Sequence, residues 1–466
     1  MLRRILDSPW LYFTLAALLL IAAILSQLEI RLPPRHAGTI DDIARLRERK
    51  DLNVVWVVID TLRADHLSGY GYARSTSPVM DRLAGEGVSF THVEAQSTWT
   101  KTSMASLWTS LWPIQTGILR WDQSLAEKVK MPAEALKDAG FRTAGIYRNG
   151  WLGTKFGFGQ GFDTYYRPST DIKPGGFERH NPSAHPLKGS DGDITESVFE
   201  FLRGYGRERF FLYLHLMDVH QYAYDVSTPV YGTAYMDSYD SAINWVDHNL
   251  GVIEKALDDA KLLDRTVLVI SSDHGEAFRE HGFDGHARTL YSETTRVPLI
   301  VSFPFLLPKG VVVNEQVRNL DVWPTIFDLL GLPPIEGAVG RSLLPLVEAA
   351  GRGQTVPDPP PPAFAHLDRT WGSIEQKPAP IVSVKKAGWK LIHSMNSKEP
   401  EELYDENKDP GDRKNVANEE GAARAELEPL ISQYLALPLG PGGTPTKVEV
   451  DKDQLEQLRA LGYIVH

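Results

Sequence analysis

Residues Asn53-Val54-Val55-Trp56-Val57-Val58-Ile59 form an apolar run with no polar break after its first position. A strand with one face in water alternates polar and apolar residues. An unbroken β-branched run belongs to a strand covered on both faces, the usual setting of a parallel sheet. Related runs recur at Arg142–Tyr147, Phe210–His215, Thr266–Ser271 and Val297–Val301. Helical stretches lie between them. Ile243, Val246, Leu250, Ile253 and Leu257 share one helix face, and Pro132 is placed to open another helix in its first turn. Strand–helix alternation of this kind predicts an α/β fold, a mostly parallel sheet flanked by helices on both sides.

With 466 residues the chain has room for more than this unit. Arg3 and Arg4 precede an apolar run from Trp10 to about Ser26. At about 17 residues it is at the short end of what spans a bilayer as a helix. Positive charge before it favours an inside N-terminus and an extracytoplasmic body, periplasmic or extracellular. A cleaved signal peptide is the alternative, but Leu25-Ser26-Gln27-Leu28-Glu29 shows no small-residue cleavage site. The expected organisation is a cytoplasmic N-terminus (1–9), one transmembrane anchor (10–28) and a juxtamembrane linker with a short helix (29–50). An α/β body (51–350), a proline-rich connector (351–365) and a smaller C-terminal subdomain with a helical tail (366–466) follow. The net charge of -11 argues against a nucleic-acid partner. The absence of cysteine excludes disulfides, zinc–thiolate sites and thiol nucleophiles.

Ligands of an open parallel sheet gather beyond the carboxyl ends of its strands. There the sequence places Asp60 after the first strand, Asp218 and His220 after Phe210–His215, and Asp273-His274-Gly275-Glu276 after Thr266–Ser271. Each alone reads as a helix cap or a satisfied core histidine. Their convergence on one edge makes a divalent-cation site. A second cluster, Trp99-Thr100-Lys101-Thr102-Ser103-Met104, opens a helical stretch whose N-terminus suits an anionic ester. On its own it also reads as a helix cap.

Several ordered motifs then carry a resemblance. Asp60 to Gly71, Ser77-Pro78-Val79-Met80-Asp81-Arg82-Leu83 and Ala105-Ser106-Leu107-Trp108-Thr109-Ser110 resemble the opening of the sulfatase family of the alkaline phosphatase superfamily. Ser272-Asp273-His274-Gly275-Glu276, Gly285-His286 and Arg296-Val297-Pro298-Leu299-Ile300 resemble its second metal motif. Glu402-Leu403-Tyr404-Asp405 with Asp409-Pro410, and Leu458-Arg459-Ala460-Leu461-Gly462-Tyr463, resemble its C-terminal part. The resemblance implies an alkaline-phosphatase-like sheet with a C-terminal subdomain. It implies Asp60, Asp273 and His274 as metal ligands, and Thr100 as both nucleophile and ligand. His220 and His286 take substrate-binding or proton-transfer positions, and Lys101 and Asn149 are candidates for holding the anion. One divalent ion is expected: manganese, zinc or calcium.

The chain departs from the family where a cysteine or serine is matured to formylglycine within Cys/Ser-x-Pro-x-Arg. The window here reads Thr100-Lys101-Thr102-Ser103-Met104, and Asp60 is followed by Thr61 rather than a second aspartate. The set Asp60, Thr100, Asp273, His274 is similar to that of the phosphoglycerol and phosphoethanolamine transferases of the superfamily. The expectation is a metal-dependent hydrolase or transferase of phosphate or sulfate esters, such as those on a glycan or lipid head group, using Thr100 without formylglycine. The alternatives are a sulfatase in the broad sense and an inactive binding protein.

Overall fold

The computed structural model describes residues 35–168, 177–181, 189–356, 359–370, 377–396 and 398–449. The body is built on an eight-stranded sheet. Its strands are β1 (Asn53–Ile59), β2 (Val88–Glu94), β3 (Arg142–Tyr147), β4 (Thr164–Tyr166), β5 (Phe210–Leu216), β6 (Thr266–Ser272), β7 (Arg296–Ser302) and β8 (Val311–Arg318). They lie in the order β8-β2-β7-β6-β1-β5-β3-β4. β1 is parallel to both β5 and β6, whereas β7 runs antiparallel to β6 and β2. The sheet is thus mostly parallel, as the sequence predicts.

The apolar run of β1 is divided by the pleat. Val54, Trp56 and Val58 enter one core, and Val55, Val57 and Ile59 enter the other. Helices α1 (Pro78–Glu86), α2 (Thr100–Thr109), α3 (Asp191–Tyr205) and α4 (Tyr235–Asp259) flank the sheet. The striped face of α4, Ile243 to Leu257, fills the second core beside Leu212, Leu214 and Leu216. The helix that Pro132 opens is also present, Pro132–Asp138. α2 is buried over its whole length. Its Trp108 lies 4.7 Å from Trp56 and 5.3 Å from Trp323, centroid to centroid, which fixes the helix on the sheet.

Residues from Arg35 onward lie against the body. The Arg35 guanidinium is buried and donates to Ser302 Oγ at 2.6 Å and to Glu86 and Glu254 at 3.2 Å. The short helix Ile40–Arg45 follows. The expected membrane segment 10–28 lies outside the described residues. Among the described residues, no helix is long and apolar enough to cross a membrane.

The C-terminal subdomain is an antiparallel meander of β9 (Ala363–Asp368), β10 (Pro380–Lys386), β11 (Trp389–Ser394) and β12 (Glu402–Asp405), covered by α5 (Gly421–Leu435). Its own core joins Val382, Val384, Leu391 and Leu403 to Leu427, Ile431 and Tyr434 of the helix. His366 of β9 is buried there, its Nδ1 3.2 Å from the Tyr434 hydroxyl. Burial pushes its imidazole down to about 4 from an ordinary 6.5, against the raising influence of Asp368. The folded protein therefore binds this proton less readily than the unfolded chain. The stability His366 confers is complete above pH 6.5 and is lost as pH falls through 4. The span corresponds to roughly 3 kcal/mol, from about 1.4 kcal/mol per unit. We expect His366→Phe to flatten the acid limb of a plot of melting temperature against pH. An unchanged limb would remove His366 as its source.

Candidate active site

Four strand ends and one helix start build the site. Asp60 follows β1, Asn149 lies just beyond β3, His215 sits within β5, and Asp273 and His274 follow β6. Thr100 is the first residue of α2. All six are fully buried.

Facing atoms of Asp60, Asp273 and His274 lie within 4.8 Å of one another. Asp60 Oδ2 accepts from Asn149 Nδ2 at 2.7 Å and lies 3.1 Å from His215 Nε2. Asp273 Oδ1 accepts from the amides of Thr61 at 3.2 Å and His274 at 2.9 Å. That leaves Asp60 Oδ1 and Asp273 Oδ2 buried without a hydrogen-bond partner among the described residues. His274 Nδ1 lies 3.0 Å from the Gly275 carbonyl, so it carries the proton and Nε2 presents its lone pair. That Nε2 is 3.4 Å from Asp273 Oδ2 and 3.1 Å from Thr100 Oγ1. Asn149 Nδ2 also reaches Thr100 Oγ1, at 3.4 Å.

This donor set fits a divalent cation. Two buried carboxylates turned toward each other with free lone pairs need a positive charge between them. Burial and the neighbouring Asp60 charge push the Asp273 carboxyl up to about 6. Burial would raise Asp60 too, but the His215 hydrogen bond and the His220 ring hold it well below the usual carboxylate range. Carboxylate, imidazole and hydroxyl donors together suit manganese or zinc, and calcium less well.

Thr61 stands where the family pattern has a second aspartate. Its φ is +61°, an uncommon conformation for a β-branched residue that costs about 1–3 kcal/mol. The turn aims the Thr61 amide at Asp273 and lets its hydroxyl donate to the Asp60 carbonyl at 2.7 Å. Thr61 therefore supplies shape to the site in place of a charge.

His220 and His286 lie beside the cluster. Their ring centroids are 5.1 Å apart, and His286 is 4.6 Å from His274. Gln221 Nε2 donates to His220 Nδ1 at 3.1 Å, so neutral His220 carries its proton on Nε2. That Nε2 is buried without a protein partner among the described residues. His286 Nδ1 lies 3.1 Å from Glu276 Oε1. Burial lowers His220 to about 4 and His286 to about 3, so both are neutral at pH 7. Burial pushes the Glu276 carboxyl up to about 7 despite His220 and His274 nearby. Lys101 is not brought into this group. Its amine donates to the Trp121 carbonyl at 2.7 Å and sits 3.8 Å from the Phe156 ring centre, where burial pulls its pKa well down.

Two contributors escape the sequence reading as site residues. A histidine inside a doubly buried strand must find a polar partner, which was the signal for His215. Glu276 is legible only as part of the motif that holds Asp273 and His274.

Fold and site together define an α/β protein with a candidate metal-binding cluster at the carboxyl edge of its sheet. Residues 52–332 match the sulfatase family. Residues 279–434 match the C-terminal family described as N-sulphoglucosamine sulphohydrolase. The chain belongs to the sulfatase family. It is 25% identical to the N-acetylgalactosamine-6-O-sulfatase of Bacteroides thetaiotaomicron over 81% of this chain and 92% of that protein. With the Delta 4,5-hexuronate-2-O-sulfatase of the same organism it shares 22% identity over 80% and 88%. The phosphonate monoester hydrolase of Agrobacterium radiobacter superposes with a TM-score of 0.65 at 19% identity, covering 86% and 98% of the two chains. That last likeness is one of fold.

Proposed function

We propose that this protein is a metal-dependent hydrolase of anionic esters, with sulfate esters as its first substrate class and the Thr100 hydroxyl as its nucleophile. The observation that carries the reading is the buried Thr100 Oγ1, 3.1 Å from His274 Nε2 at the edge of the Asp60–Asp273–His274 cluster. The sulfatase relatives support sulfate esters over the phosphate esters that the sequence alone favours. A phosphate ester is the second reading. It is favoured by the missing cysteine and the Thr100-Lys101-Thr102-Ser103-Met104 window.

Asp60, Asp273, His274 and Thr100 would hold a divalent cation, which when bound supplies charge stabilisation for the ester oxygens and eases loss of the threonine proton. The chain's own groups do the rest. Asn149 orients Asp60 and holds Thr100 Oγ1. Among the described residues no side chain caps the first turn of α2, so its leading amides are offered to the anion. Thr100 Oγ1 gives up its proton to water and bonds to the central sulfur or phosphorus as the ester bond breaks. Neutral His220 donates its Nε2–H as a hydrogen bond to the departing alkoxide, which takes its proton from water. Water then displaces Thr100 and releases the inorganic anion. We also propose that residues 10–28 anchor the enzyme with its body outside the cytoplasm, on the strength of Arg3, Arg4 and the apolar run.

The test uses purified protein spanning residues 30–466. Elemental analysis is expected to find one divalent metal per chain, and a chelator to abolish turnover of aryl sulfate or aryl phosphate esters. Re-addition of manganese or zinc should restore it. Metal-free protein with full activity would end the proposal. Protein that binds metal but turns over none of these esters would point to a binding role.

A further inference from the structure

We propose that Arg148 is a positioning residue that sets both Asn149 and the His220 turn, through a buried cluster with Asp191 and Asp218. The inference rests on the active-site reading given above.

The three side chains come from three elements: Arg148 just beyond β3, Asp191 at the start of α3, and Asp218 opening the turn Asp218–Gln221 after β5. All three are buried. Arg148 Nη1 donates to Asp191 Oδ1 at 2.9 Å and Asp218 Oδ1 at 2.5 Å, and Nη2 donates to the Gly189 carbonyl at 2.8 Å.

The two acids cap each other's element. Asp191 Oδ2 accepts from the amides of Met217 at 3.0 Å and Asp218 at 2.8 Å. Asp218 Oδ2 accepts from the Asp191 amide at 2.7 Å and Trp245 Nε1 at 3.0 Å. Each satisfies amides that a helix start leaves unpaired, but from the partner element instead of its own cap. The arrangement holds two buried carboxylates together, which needs the guanidinium between them.

Both ends of the cluster lead into the site. Arg148 is followed directly by Asn149, whose amide holds Asp60 and Thr100. Asp218 lies two residues before His220, in the same short turn. A planar fork bonded to both acids fixes the distance between these segments. The lysine ammonium, a point charge on a flexible stem, does not.

The test is Arg148→Lys in the full chain, with Trp245→Phe as a control that removes one bond of the cluster. Three experiments are run: kcat and KM on an aryl ester, manganese affinity by calorimetry, and the ring nitrogen shifts of His220 in ¹⁵N-histidine-labelled protein. The expected result is a fall in kcat of about ten- to a hundred-fold, the scale of a small misplacement. KM should change little, manganese should bind more weakly, and the His220 signal should move away from a single Nε2–H tautomer. The last two need no turnover, so they decide the matter even if the wild type proves inactive on every ester tried. Unchanged affinity and an unchanged His220 signal in folded Arg148→Lys would overturn the proposal. If Arg148→Lys does not fold, Asp218→Asn replaces it. It should shift the His220 signal, and an unshifted signal again overturns the proposal.

Discussion

Thr100→Ala is expected to lower turnover by about a thousand-fold or more, the scale seen when a nucleophile is removed from a site that acts as a unit. The protein should remain folded. Thr100 is buried, yet among the described residues its hydroxyl contacts only Asn149 Nδ2 and His274 Nε2, and Asn149 keeps its shorter bond to Asp60. Losing such contacts costs about 1 kcal/mol. Metal content should persist, because Asp60, Asp273 and His274 all remain. Thr100→Ser keeps the hydroxyl and should retain much of the activity. The measurements are steady-state kinetics, elemental analysis and mass spectrometry of the Thr100 peptide after rapid quenching. A covalent sulfo or phospho adduct is expected on wild type and absent from Thr100→Ala. Undiminished turnover in the alanine variant would remove the threonine mechanism and leave metal and histidines to activate water.

The central strands were legible because burial on both faces leaves a long apolar signature. β1, β5 and β6 sit mid-sheet and read as near-unbroken runs. β2 and β8 were not read, and the reason is their position. β8 is an edge strand and β2 lies beside it, so Val311–Arg318 and Val88–Glu94 carry polar residues at partly exposed places. Of the site, the acidic and imidazole groups after the strands were visible as a pattern. Side-chain direction was not. Lys101 neighbours Thr100 in sequence, but on a helix successive residues point about a quarter-turn apart, and its amine enters an aromatic pocket. The strained turn at Thr61 left no sequence trace beyond an unexpected threonine, since φ depends on what the surrounding structure enforces.

Lys390→Met is expected to destabilise the protein by about 3–5 kcal/mol, the cost of leaving a buried charge unpaired. Lys390 Nζ is fully buried, 2.9 Å from Asp412 Oδ2 and 3.3 Å from Thr295 Oγ1. Beside it Lys385 pairs with Glu94 and Glu406. The cluster joins the C-terminal subdomain to the body. Asp412 Oδ2 also accepts from the amide and hydroxyl of Ser292, both at 2.8 Å. Ser292 opens the turn whose carbonyls hold the loop following His274, the proposed metal loop, with the Gly275 amide on Thr294 at 2.9 Å and the Glu276 amide on Glu293 at 3.1 Å. A charge left alone at Asp412 should therefore disturb His274 as well as subdomain docking. The double variant Lys390→Met with Asp412→Asn removes both charges and keeps an acceptor for Ser292. It should recover much of the loss, since neutral replacement of a buried pair is far milder than breaking it. Denaturant unfolding and manganese affinity, measured on both variants, test the coupling. If Lys390→Met loses stability but binds manganese as the wild type does, the subdomain contact is mechanical support alone, and the metal loop holds its shape without it.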